Sequence, residues 1–233
     1  MRVDARREFD RYVSRYRETQ NRQIALSGET GESMARYKVA TLARWLGKTP
    51  SPRAILDYGC GDGLMTAFLR EQFPKAAVYG ADSSPESVSA AAKAYGQRGI
   101  VFTALSDPTL PYTDHSFDLV VASGVFHHVP FSEHRAHLDA IFRTLRPGGV
   151  FAMFEMNPLN PFARYVFSRS DFDQNATMMP LTYSRRLLRE YGLPSLRSCA
   201  FFPSWLPPLR RLEPYIDRMP LGALYVLLVE RRG

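Results

Sequence analysis

Ala54-Ile55-Leu56-Asp57-Tyr58-Gly59-Cys60-Gly61-Asp62-Gly63 is the stretch that decides the fold. A short apolar run ends in an acid and then in three glycines at alternate positions, the pattern of a buried strand turning sharply where backbone must approach another group. Helix-forming residues, Leu64 to Gln72, follow at once. Strand, glycine loop and helix in that order predict the first unit of a doubly wound parallel sheet that holds a nucleotide-like ligand.

Working outward, the same alternation repeats. Ala77 to Asp82 reads as a second short strand ending in an acid, and Ser84-Pro85 supplies an N-cap and first turn for the next helix. Ile100 to Thr103 and Phe117 to Ser123 read as strands three and four. A helix from Glu133 to Leu145 is stopped by Arg146-Pro147-Gly148-Gly149, and strand five, Val150 to Phe154, carries Glu155 at its end. Upstream, residues 3–24 have the spacing of an amphipathic helix, Ser27 to Ser33 breaks it, and Met34 to Leu46 predicts a second helix. Downstream, a helix over Tyr183 to Tyr191 precedes strand six, Ser195 to Phe202; after an irregular connection, Ala223 to Val229 forms an apolar strand seven.

Composition bounds the answer. The 233 residues, 45% hydrophobic, suffice for one substantial α/β domain. Cys60 and Cys199 give neither a disulfide framework nor paired metal-ligand spacing. The N-terminal residues lack the apolar core of a signal peptide, and no apolar run has membrane-spanning length, so a cytoplasmic protein without a membrane span is expected. The net charge of +7 raises the question of nucleic acid, but the N-terminal arginines are interleaved with acids and no nucleic-acid-binding motif accompanies them. An anionic small molecule or solubility is the better reading of the charge.

Four motifs stand in order: Leu56 to Gly63; Gly80-Ala81-Asp82-Ser83-Ser84; Leu110-Pro111-Tyr112 with Ser116 to Val120; and Leu145 to Gly149. Together they resemble the class I S-adenosylmethionine-dependent methyltransferases, most closely the type 11 group of small-molecule methyltransferases. The resemblance covers residues 54–155. It implies a Rossmann-like, mostly parallel seven-stranded sheet of order 3-2-1-4-5-7-6 with strand seven antiparallel, helices on both faces, and an N-terminal helical cap. One domain is expected, divided into a cap (1–50), a donor-binding core (51–156) and a substrate-side lid with the last strands (157–233). The loop itself argues against a dinucleotide, whose third glycine falls three residues after the second and whose pyrophosphate Asp57 and Asp62 would repel. S-adenosylmethionine carries an ammonium and a sulfonium and no phosphate.

Carried onto matching positions, the resemblance puts Asp57 and the backbone of Gly59 and Gly61 on the donor's amino-acid end. Asp82 would take the ribose, Ser83 would flank the adenine, and Ser123 would lie near the methionine portion. Where the family has an acid for the adenine amino group this chain has Ser106, with Asp107 beside it; either could serve. Tyr16 packs the cap or closes over the ligand.

On the acceptor side, His127 and His128 follow strand four and Glu155 and Asn157 follow strand five. A histidine titrating near neutrality is the natural proton acceptor for a hydroxyl, with His128 the first candidate and His127 the second. The same turn could instead cap the strand and pack on the donor. Phe126, Phe162 and Tyr165 are further substrate-side candidates, the last two in an aromatic, proline-rich segment that forms a lid or packs on the domain. His134 and His137 could share a helix face but have no carboxylate in register, so no metal is expected.

The function expected is transfer of a methyl group to a small-molecule acceptor at oxygen, with S-adenosylhomocysteine as by-product, by a monomer or homodimer. The alternatives are nitrogen or carbon methylation of a metabolite, a tRNA or protein substrate, or a donor-binding subunit without catalysis.

Overall fold

The computed structural model describes residues 16–47, 51–106, 108–170, 173 and 175–232, with the side chains of residues 16, 17 and 20 left out. The readings on residues 3–15, on Asp107 and on the side chain of Tyr16 lie outside the described residues.

Four parallel strands, β1 (Ala54–Tyr58), β2 (Ala77–Asp82), β3 (Ile100–Ala104) and β4 (Phe117–Ser123), are followed by β5 (Leu145–Met156), β6 (Ser195–Cys199) and β7 (Leu224–Glu230). The sheet order is β3-β2-β1-β4-β5-β7-β6, with β7 antiparallel to both its neighbours, as the motifs imply. Tyr58 stands opposite both Ala81 and Ala122, and Ser123 opposite Phe154. The carboxyl ends of β1, β2, β4 and β5 therefore finish at one edge, where open parallel sheets bind ligands.

The period-two alternation of each strand fills two core layers. Ile55, Val78, Val121 and Phe154 point to one face and meet α2 (Gly31–Leu46) and α3 (Leu64–Gln72) through Leu42, Phe68 and Leu69. Leu56, Val120, Phe151 and Tyr225 point to the other, against Leu138, Ile141 and Phe142 of α5 (His134–Thr144) and Leu188 of α7 (Leu181–Leu188). The remaining helices are α1 (Tyr16–Ile24), α4 (Pro85–Tyr95), capped by Ser84, α6 (Pro161–Ser168), and the short α8 (Pro207–Arg210) and α9 (Glu213–Ile216). Among the described residues no helix is long and apolar enough to cross a membrane.

Several boundaries differ from expectation, each for a local reason. Helix α2 begins at Gly31 rather than Met34, because Thr30 and Ser33 form a reciprocal capping box that the serine- and glycine-rich spacing disguises. Strand β5 begins at Leu145, five residues early: Leu145 already pairs with Phe117, and Arg146-Pro147-Gly148-Gly149 is a bulge inside the strand. A Cβ on Gly149 would sit 2.9 Å from the Arg146 carbonyl and 3.2 Å from that of Phe117, so the bulge requires glycine there. Helix α7 runs from Leu181, and β6 stops at Cys199 because Ala200 adopts a left-handed backbone (φ 57°).

Helix α2 is more than a cap. Leu42 is fully buried, with Val39 beside it, against the sheet face that Ile55 and Phe154 form. Leu42→Ala is expected to destabilise the protein by about 2–5 kcal/mol in urea unfolding; a loss below about 1 kcal/mol would return α2 to a peripheral role.

Candidate active site

The carboxyl edge of the sheet opens into a cavity of about 1450 Å³. That exceeds the roughly 300–1,000 Å³ of a typical small-ligand pocket, leaving room for two ligands side by side.

One end is built by the glycine loop. The N–H groups of Gly59 and Cys60 both donate to the Ala81 carbonyl, at 2.7 and 3.1 Å, folding the loop onto the end of β2. A Cβ on Gly59 would lie 2.4 Å from Val125, and the backbone there is left-handed (φ 73°), so no side chain fits. Gly61 also has positive φ, but its missing Cβ would point into open space on the cavity wall. Asp82 faces the cavity and accepts from Gly61 N (2.8 Å) with one oxygen and from Ser84 N (2.9 Å) with the other. Its remaining lone pairs can receive hydroxyls of a ligand. Ser83, Leu105 and Pro108 complete this end.

Asp57 lies beneath the loop, off the cavity wall, where it accepts the Thr66 hydroxyl at 2.6 Å. Burial raises its pKa to about 7 against the opposing Thr66 hydrogen bond, with Asp82 adding repulsion. It underpins the loop from within. Ser106 is exposed, in an isolated bridge with Thr109, and is also off the wall. Ser123 does line the cavity and accepts a hydrogen bond from Lys38 Nζ at 2.9 Å. Lys38, which sequence reasoning missed, comes from α2; burial lowers its pKa, while nearby Cys199, Glu155 and Asp57 work in the opposite sense. A lysine one turn after Met34, both on the cavity wall, is the signal that was available.

The other end is organised by Glu155. One of its oxygens accepts from Phe126 N at 3.0 Å and the other from His127 Nδ1 at 2.6 Å. On its far side His127 Nε2 lies 3.3 Å from Asp173 Oδ1, and His128 Nε2 lies 3.4 Å from the same oxygen. Although burial works against it, the two carboxylates hold the His127 pKa well above the ordinary imidazole value. Burial, reinforced by the His127 charge, holds His128 well below it. His127, engaged at both ring nitrogens, is thereby removed as a proton acceptor. Phe162, on α6, lines this end, and Phe167 packs edge-on against His127.

Three substrate-side candidates, Phe126, Asn157 and Tyr165, lie off the cavity wall. Phe126 is fully buried, with its ring on Phe151 and His134 and only its backbone turned to Glu155. Asn157 is fully buried and off the wall: Nδ2 donates to the carbonyls of Pro220 and Gly222 while Oδ1 accepts from Leu159 N. Tyr165 is exposed on the outer face of α6 under Arg169. Ala200 to Pro203, Trp205 and Arg210 also line the wall, Arg210 paired with Glu29 at 2.6 Å, whereas Arg211 is exposed.

With this geometry established, comparison with known proteins is informative. Residues 56–153 match the model of the methyltransferase domain family of type 11. The match covers less than half of the chain and supports a class I, S-adenosylmethionine-dependent methyltransferase domain there. Among curated relatives, trans-aconitate 2-methyltransferase of Methylobacterium radiotolerans is 34% identical over 113 residues, 48% of this chain and 42% of that protein. Demethylmenaquinone methyltransferase of Thermus thermophilus is 32% identical over 110 residues, 46% and 49% of the two chains. The matched segment thus spans less than half the length of either relative. A solved methyltransferase from Thermotoga maritima, described as a possible histamine N-methyltransferase, shares the fold with a TM-score of 0.69 at 18% identity, over 98% of this chain and 100% of that one.

Asp57 sets a pH test of the loop. Its folded-state pKa lies above the ordinary 3.8, so the native state keeps a proton that the unfolded chain has lost, and stability falls as pH rises from 4 through 7. Asp57→Asn removes this penalty, and its advantage over the wild type in urea unfolding is expected to grow by up to about 4 kcal/mol between pH 4 and pH 8. Parallel stability curves would mean that Asp57 ionises freely in the fold.

Proposed function

We propose that the chain transfers a methyl group from S-adenosylmethionine to a small-molecule acceptor, at oxygen. The observation that carries this reading is a single large cavity whose two ends differ in chemistry.

The glycine-loop end suits the donor. A Cβ at Gly61 would project into the open cavity, Asp82 faces the cavity as a carboxylate to receive ribose hydroxyls, and the loop Gly59 to Gly63 itself carries an acid, Asp62, and no cation. Ser83, Leu105 and Pro108 flank the adenine, with Asp107 beside them in sequence for its amino group. At the opposite edge of this half, Lys38 and Ser123 meet the amino-acid carboxylate. Bound there, S-adenosylmethionine supplies an electrophilic methyl on a cationic sulfur.

The histidine end suits a small acceptor. Phe162, Ala163 and Val166 give an apolar wall, and His128 and Asp173 give polar atoms against which a hydroxyl can be oriented. Aligning that oxygen in line with the methyl group, in a wall that excludes water, is the main service such a site performs. His128 is the residue placed against the reacting oxygen; Glu155 fixes the neighbouring His127, and so the turn that carries both. A concave, mostly apolar cavity of this kind suits a metabolite better than tRNA or a protein. The reading is of a cytoplasmic enzyme working as a monomer or homodimer.

Incubation of the purified protein with isotopically labelled donor and fractionated metabolite extracts is expected to give a labelled, oxygen-methylated product. Donor binding without transfer to any fraction would instead favour a donor-binding subunit. Asp82→Ala should weaken donor binding more than about 10-fold in calorimetry, and unchanged affinity would overturn the ribose assignment. His128→Ala should slow single turnover by about 100-fold with donor affinity intact; an unaltered rate would make His128 a packing residue.

A further inference from the structure

We propose that His127, His128 and Asp173 form a binding site for a divalent transition-metal cation, zinc being the best match, on the acceptor side of the cavity. Three ligand atoms, His127 Nε2, His128 Nε2 and Asp173 Oδ1, converge within 4.8 Å of one another, and all three residues line the cavity.

The distances favour a cation over a hydrogen-bonded cluster. Both histidine nitrogens face the same carboxylate oxygen, at 3.3 and 3.4 Å. Charge-assisted N–H···O bonds are shorter, about 2.7–2.9 Å. Atoms bound at about 2.0–2.1 Å to a tetrahedral centre lie about 3.3–3.4 Å apart along each edge, the spacing of the two edges that meet at Asp173 Oδ1.

The surroundings are those of a supported ligand set. Glu155 accepts the Nδ1 hydrogen of His127 and turns Nε2 toward Asp173, where a bound cation would take the place of the Nε2 proton; metal-bound histidines are oriented in this way. Asp173 is held by its own backbone, donating from N to Ser170 O and accepting from Ala176 N, while Thr177 N ties the segment to the His127 carbonyl. Glu155 and Asp173 together carry two negative charges, which a divalent cation balances with both imidazoles neutral. Two imidazoles and one carboxylate on one side leave further coordination positions toward the cavity, for water or an oxygen of the acceptor. The other helix-borne histidines are committed elsewhere: His134 Nε2 donates to Phe126 O and Val129 O, and His137 meets Tyr58. This inference goes beyond methyl transfer and does not depend on it. In the metal-bound state His128 holds a cation instead of receiving a proton.

The test is titration of the chelator-stripped, full-length protein with cobalt(II) and then zinc(II), without donor or acceptor. One equivalent of cobalt per chain is expected, with the intense visible absorption of a four- or five-coordinate ion, bleached by one equivalent of zinc. Asp173→Asn and His128→Ala should weaken binding by more than 100-fold, and Glu155→Gln by about 10–100-fold. His115→Ala, remote from the cluster, should bind as wild type. Thermal unfolding of the stripped variants identifies any that fail to fold, and Asp173→Asn, on a loop, supplies the reading if the buried variants do. Sub-stoichiometric binding, a six-coordinate hydrated spectrum, or equal affinity in folded Asp173→Asn would overturn the site. Donor binding measured in the same samples separates this outcome from failure of the methyltransferase reading.

Discussion

The hydrogen bonds that fold the glycine loop onto the end of β2 are the constraint on which the ligand side depends. A single carbonyl, Ala81 O, receives the N–H groups of Gly59 and Cys60, and the next residue, Asp82, receives Gly61 N. Together they lock the turn after β1 to the turn after β2, which lie side by side only because the strands are parallel and in register. Buried backbone donors need such partners, and here satisfying them also shapes the cradle. The positive φ at Gly59, Gly61 and Gly63 is the local condition for this arrangement.

A second lock, Glu155, does for the acceptor side what Asp82 does for the donor side. Each carboxylate sits at the end of a strand and ties down the loop after a neighbouring strand, Asp82 the β1 loop and Glu155 the β4 loop. The two ends differ in what the loop then presents: bare backbone in one, imidazole in the other. The same sheet edge thus presents glycine backbone beside Asp82 at one end and a cluster of nitrogen and oxygen atoms at the other.

Much of this was legible in the sequence because it is local. The glycine spacing, Asp82 one strand later, and the Ser84-Pro85 cap all act on residues near them, and each stands where the pattern puts it. What escaped reading depends on distant partners. Asn157 and Phe126 have the residue types of a binding site, yet Asn157 is consumed by carbonyls of the loop before β7 and Phe126 by the core. Lys38 and Asp173 went unnoticed for the converse reason: each is an ordinary polar residue until the fold sets it beside Ser123 or the histidines. Asp57 stands beside the glycines in sequence, and its burial under the loop with the Thr66 hydroxyl depends on a helix that the motif does not specify.

The insertion of β7 between β5 and β6 bears on how the chain reaches this state. β6 pairs with no other strand of the sheet, and β5 keeps one side unpaired until residues 224–230 arrive. During synthesis from the N-terminus, β1 to β5 can associate while the apolar edge that carries Phe151 and Phe154 still waits for a strand far along the chain. That interval is when another strand, from a second nascent chain, could add to the edge. Substitutions that slow the docking of β7 would lower the yield of native protein through aggregation while leaving the finished molecule as stable as before.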